Sequence, residues 1–344
     1  MDDAGARFSR RAMLGFGAAM LAGAAPTTFP DGATLFVAGP SGSTVDLWAE
    51  WLEPTLQRVL APKAGLHRDL VGGVDGVTGA NQFEARIAPD GATALLLPGA
   101  AAMAWLVGDP RARFDAARWV PVLAGVTPSL VASRISTAHI LAAAPLRIAA
   151  SGPAGPDLPA LLALDLLGAN WSPVFGLNEA AAQQALAQGA VDAVCLHGRR
   201  VVEMARGLAA AGTPPIFTFG MVDETGQPQR DPAFPDVPDA SELLGASLPE
   251  DQLRSAWRAT VAAGQLEVAL VLPRLTPAAM VALWRRACAQ AAESDVVQAQ
   301  AGPVGVRPLP APAATASTAA VTADAAALLA LRHWLATRLD YRPG

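Results

Sequence analysis

The chain has 344 residues, 52 % of them hydrophobic and only 16 % charged, with a formal net charge of −5. That length exceeds what one compact core ordinarily serves, so an α/β chain in two lobes is expected. The negative balance and the lack of any basic stripe exclude a partner recognised through nucleic-acid phosphates.

In chain order, Ser9-Arg10-Arg11 stands directly ahead of an uncharged run from Ala12 to Ala25, and Ala22-Gly23-Ala24 supplies a small-x-small cleavage pattern. Together these read as a twin-arginine export signal over residues 1–24, which places the mature chain in the periplasm. The apolar run is about 14 residues, short of the roughly 20 that span a bilayer. The alternative is an uncleaved anchor.

Thr34 to Ala38 reads as a buried strand, followed by the small-residue loop Gly39 to Thr44. Val45, Trp48, Trp51, Leu52, Leu56 and Val59 then keep helical spacing. A strand at Leu70-Val71, a glycine-rich loop Gly72 to Gly79 and a helix from Ala80 to Ile87 follow. The turn Ala88-Pro89-Asp90-Gly91 feeds a strand from Ala94 to Leu97 that stops at Pro98-Gly99. Strand, loop, helix, strand is the grammar of a parallel α/β layer.

Val120 to Ala124 and Ser129 to Ala132 open a second set in the same grammar. Leu146 to Ala150 is a strand, Ser151 to Pro156 a loop and Leu158 to Leu167 a helix. The helix Glu179 to Gln188 stops at Gly189, and Val191 to Leu196 is a core strand. An irregular polar stretch, Asp223 to Pro238, precedes a strand at Glu267 to Leu272 and a helix from Pro277 to Ala292. Pro303 to Thr322 reads as a surface loop, and Ala323 to Leu339 as a closing helix.

Chemistry is sparse. His67, His139, His197 and His333 are scattered, and no zinc, redox, dinucleotide, phosphate-loop or nucleophile-elbow pattern is present, so no catalytic residue, metal site or cofactor is assigned. Cys195 in a core strand and Cys288 in an amphipathic helix read as two buried free thiols rather than a disulfide. What remains are small-residue loops at strand-to-helix junctions, where orphan amides and the helix dipole suit an anionic ligand.

The order of these segments resembles the periplasmic receptors of tripartite tricarboxylate transporters, the Bug-type solute-binding proteins. Pro40-Ser41-Gly42-Ser43-Thr44-Val45-Asp46 is similar to their first small-residue loop, and Gly72 to Gly76 to their glycine-rich loop. Ile87 to Thr93 is similar to their Ala-Pro-Asp-Gly-x-Thr turn, and Ser151 to Gly155 to their second-lobe loop. Ala185 to Asp192, Phe234 to Pro238 with Glu242 and Gly245, and Leu272-Pro273 with Thr276-Pro277 complete the series, from about Thr34 to Arg338.

The resemblance implies a two-lobed periplasmic-binding-protein architecture, a type II-like Venus flytrap. Lobe one would comprise 32–124 and 266–344, and lobe two 125–265. It implies a monomer that captures a small organic acid, a carboxylate, for a membrane permease. Ser41, Gly42, Ser43 and Thr44 would grip the solute from one side and Ser151, Gly152, Ala154 and Gly155 from the other. Asp75, Gly76, Gly99, Ala100 and His197 are further candidates. The chain departs from the pattern at Glu50, where relatives carry Arg, at Val174 to Asn178, and at Pro153, Pro156 and Asp157. The prolines remove donors, and Asp157 puts a negative charge where a carboxylate would arrive. Two other roles remain open on sequence: a cofactor-bearing exported enzyme, or a solute sensor for a membrane signalling protein.

Overall fold

β1 (Ala33–Val37), β2 (Leu66–Leu70) and β3 (Thr93–Leu97) alternate with α1 (Thr44–Leu60), α2 (Val77–Arg86) and α3 (Gly99–Val107) in a computed structural model that describes residues 28–245 and 251–343. The export signal at 1–24 falls outside the described residues. β4 (Val120–Val126) leads to β5 (Leu130–Ser133) and α4 (Thr137–Leu141). β6 (Leu146–Ala149), β7 (Trp171–Val174) and β8 (Ala193–Leu196) then alternate with α5 (Leu158–Leu166), α6 (Glu179–Ala187) and α7 (Val201–Ala210). β9 (Pro215–Thr218), a hairpin of β10 (Met221–Val222) and β11 (Pro228–Gln229), α8 (Ala240–Leu244) and α9 (Gln252–Gln265) follow. β12 (Leu266–Leu272), α10 (Ala278–Ala292), α11 (Asp295–Ala301), β13 (Arg307–Pro310), α12 (Ala313–Ala319) and α13 (Ala325–Arg338) complete the chain.

The strands form two separate mixed sheets, β13-β4-β12-β3-β1-β2 and β7-β6-β8-β5-β9. Their plans correspond. β1 lies between β2 and β3, parallel to both, and β6 lies between β7 and β8, parallel to both. In each sheet an antiparallel strand pairs with the third parallel one, β12 on β3 and β5 on β8. Parallel neighbours place the strand ends, and the loops that leave them, along one rim, which is where α/β sheets bind ligands.

Both faces of the first sheet are covered, which is why β1 and β3 read as continuous apolar runs. Trp48, Leu52, Trp284 and Cys288 of α1 and α10 fill one face. Phe83, Ala101, Phe114, Trp119 and Ala314 fill the other. In the second sheet α6 and α7 cover one face. On its other face α5, α9 and α13 share a core with Met103 and Leu106 of α3. The α3–α9–α13 contact thus joins helices of both sheets. Cys195 and Cys288 sit in separate sheets' layers, are unbridged, and have thiols pushed up by burial.

Three of the departures from the sequence reading have a plain physical reason. β2 spans Leu66–Leu70 rather than Leu70-Val71, because an edge strand covered on one side tolerates His67, Arg68 and Asp69. α3 is uniformly apolar and carries no helical period, because it packs on several sides and less buried positions such as Ala100 and Ala104 are apolar as well. The 303–322 stretch is not a surface loop. β13 pairs antiparallel with β4, and Ala314 of α12 is fully buried against that sheet. Its small Ala and Thr side chains permit the close approach.

Candidate functional site

The loop after β1 is shaped by two constraints. A Cβ on Gly39 would lie 2.5 Å from Val45 Cγ2 and 2.8 Å from Ser43 Oγ, so only glycine lets the chain turn there. The Gly42 amide donates to Asp46 Oδ2 at 2.8 Å. Asp46 is buried, and its other oxygen lies 3.2 Å from Arg68 of β2, which also faces Glu50 at 3.4 Å. Ser43 caps α1 in extended geometry without a side-chain bond, and its Oγ is buried with no hydrogen-bond partner. Helix geometry leaves the following first-turn amides without intrahelical acceptors.

The loop after β6 repeats the device with different chemistry. Asp157, 7 % exposed, accepts from both the amide and the hydroxyl of Ser151 at 2.8 Å. The facing side chain is His197 of the β8 loop, its Nε2 3.8 Å from Asp157 Oδ1. Ser151 therefore spends its donors inside its own loop. The Gly155 amide likewise turns back to the Gly152 carbonyl at 3.3 Å.

Between the sheets lie two adjoining cavities of about 680 and 410 Å³ that share Gly99, Ala100, Gly264 and Leu266. The larger is walled by Gly42, Ser43 and Thr44 from one sheet's loops and by His197 to Arg200 from the other's. The smaller brings Asp75 and Arg111 against Ala154 and Gly155. Both volumes lie in the range of small-molecule sites. Ser41, Gly76, Ser151 and Gly152 stand back from these walls. Gly99 is fixed by contact, since a Cβ there would overlap the Ala263 and Leu266 carbonyls where α9 passes into β12.

Charged wall residues that sequence reading did not assign are Glu179, Arg199, Arg200 and Glu267 of the larger cavity and Asp109 and Arg111 of the smaller. Arg199 Nη2 lies 2.5 Å from Glu267 Oε1, while its guanidinium lies over Trp51 at 4.9 Å. Trp48 Nε1 donates to the same Glu267 oxygen at 2.9 Å. This contact crosses from the β8 loop to β12 and α1. Its signal was a lone acid opening the apolar strand Leu266–Leu272. Arg200 pairs with Glu203 at 2.9 Å, and its amide donates to Val304 O at 3.3 Å. Arg111 pairs with Asp109 at 2.7 Å and Asp75 at 2.8 Å; these bonds hold the Asp109 carboxyl below its usual range. Every guanidinium on the cleft walls thus carries a carboxylate of its own. The donors left for an incoming anion are amides and hydroxyls, and Glu179 adds a further negative charge to the wall.

No family model and no curated protein matches the chain. Solved structures do. A TctC solute-binding protein from Polaromonas, without ligand, superposes with a TM-score of 0.66 at 15 % identity, over 90 % of this chain and 100 % of that one. MatC from Rhodopseudomonas palustris with bound malate gives 0.52 at 20 % identity, over 89 % and 100 %. The R. palustris protein Rpa4515 with adipate gives 0.51 at 17 %, over 90 % and 97 %. The fold is that of the two-lobed periplasmic solute-binding proteins.

Proposed function

We propose that this chain is a periplasmic solute-binding protein, exported by the twin-arginine route, that captures a small organic acid and presents it to a membrane permease of the tripartite tricarboxylate type. It works by binding as a monomer, without a cofactor and without catalysis. The lobes are 32–124 with 266–344, and 125–265, the closing helix α13 of the first packing onto α5 and α9 of the second. The observation that carries the reading is the cleft between the β1 and β8 loops, walled by glycines and hydroxyls, with its guanidiniums already paired. Such walls hold an anion through backbone donors strengthened by desolvation. Closure follows from the solute's preference for the closed state. The likeness to structures holding malate and adipate makes small dicarboxylates the first solutes to test.

Calorimetric titration of the purified chain with malate and adipate is the test. Saturable binding is expected with at least one of them. Ser43→Asp, which brings a second negative charge to the α1 N-terminus, is expected to abolish it. Unchanged heats in that variant overturn the site, and no heat with either acid or related carboxylates overturns the solute class.

A further inference from the structure

The chain passes between the sheets after β4 and again from α9 into β12, and hydrogen bonds tie these crossings to each other and to the segment that follows β9. The Thr127 amide donates to Gln265 O at 2.9 Å, the Phe219 amide to Ser129 O at 3.1 Å, and Gln265 Nε2 to Gly220 O at 2.6 Å. Alternate residues of these extended segments face opposite ways. Thr127 and Leu266 line the cleft, whereas their neighbours Val126 and Gln265 line a different cavity of about 410 Å³. No residue lines both.

That second cavity has an apolar side formed by Val126, Phe219, Val261 and Leu309, polar residues such as Gln227, Ser241, Ser255 and Ser317 elsewhere on its wall, and one cation from β13, Arg307. A second guanidinium, Arg258, lines it too. Arg307 donates to the Met221 sulfur, a weak acceptor. Among the described residues no carboxylate lies within ion-pair distance of Arg307, and Asp231 acts on it only from farther away. Burial costs the Arg307 guanidinium, lowering its pKa from the ordinary value. A half-buried planar fork opposite a thioether leaves the geometry of a bidentate carboxylate unmet. The apolar side calls for an alkyl chain attached to that carboxylate.

We propose that the cavity beside the crossings is a second binding site, for a medium-chain aliphatic monocarboxylate whose head group sits on Arg307 and whose tail lies against Val126, Phe219 and Leu309. The site is separate from the interlobe cleft and does not depend on what the cleft holds.

Octanoate is the probe, with octan-1-ol as the uncharged control, both titrated by calorimetry into the full chain. One octanoate per chain is expected, with octan-1-ol at least tenfold weaker. Arg307→Met is expected to weaken octanoate at least tenfold, and Arg307→Lys less. Ala320→Trp is expected to abolish binding by filling the cavity while leaving Arg307 in place, so it decides the matter should Arg307→Met fail to fold by circular dichroism. The proposal is overturned by a wild-type chain that takes no octanoate, by equal binding of the alcohol, or by affinity that neither Arg307→Met nor Ala320→Trp lowers. A crystal complex with octanoate in the interlobe cleft instead overturns it as well.

Discussion

The loops after β1 and β6 occupy equivalent places in two sheets of the same plan, and each ends on a buried aspartate that accepts an amide from its own loop. They differ in what offsets the aspartate. Asp46 faces Arg68, a permanent cation, at 3.2 Å. Asp157 faces only His197 at 3.8 Å, an imidazole whose charge depends on protonation. Ser43 Oγ in the first loop is left without a partner, whereas Ser151 in the second gives both its donors to Asp157. The first loop is thus a frame whose buried aspartate has an arginine and whose serine has a donor to spare, and the second a frame whose aspartate has no arginine and whose serine has its donors spent.

The largest expected effect separates the two aspartates by stability. Asp46→Ala removes the buried half of a partly buried ion pair and takes the acceptor from the Gly42 amide, leaving Arg68 only the exposed Glu50, at a cost of about 3 kcal/mol. Asp157→Ala loses two hydrogen bonds but also a partly uncompensated charge, costing about 1–2 kcal/mol. Urea unfolding of both variants measures the order. Equal losses break the distinction between a paired and an unpaired carboxylate.

The next effect sharpens it at the level of binding. Asp157→Asn keeps an acceptor for Ser151 while removing the negative charge beside the α5 N-terminus, so a dicarboxylate is expected to bind several-fold to tenfold tighter. Asp46→Asn is expected to bring no gain, because Arg68 already offsets that charge. Titration of the two variants with the same acid is the check. A gain in both, or in neither, sinks the contrast.

Much of the frame was readable in the residues. The continuous apolar runs of β1, β3 and β8 mark strands covered on both faces, and the helical spacing of α1 and α10 marks helices with one buried face. Elements with neither mark were not readable. β7 lies at a sheet edge and mixes polar and apolar residues, α3 is apolar all round, and β13 with α12 hides in Pro- and Ala-rich sequence whose partner, β4, lies far back in the chain. The site divides the same way. Gly42 to Thr44, Gly99, Ala100 and His197, picked from small-residue loops at strand ends and the residue past β8, all line the larger cavity. The Arg199–Glu267 contact joins residues far apart in sequence, and only the docking of the sheets brings them together. Nor does residue order reveal that Asp157 consumes the donors of Ser151, since that depends on how the loop folds back.

The smallest expected effect concerns a charge pair of the second sheet that has what Asp157 lacks. Arg147 Nε and Nη2 donate to the two oxygens of Asp192 at 2.9 and 2.8 Å, and these bonds hold the Asp192 carboxyl below the usual carboxylate range. The folded value is depressed, so the pair contributes stability above the ordinary carboxylate pKa and loses it as pH falls through the lowered value. Arg147 is half-exposed, so solvent screens the pair, and Asp192→Asn is expected to cost about 1 kcal/mol at neutral pH. The gap between wild-type and variant melting temperatures should close in acid, below about pH 4. A gap that stays constant with pH would show that Asp192 acts as a neutral acceptor for the Arg147 backbone amide at 2.9 Å and not as a charge.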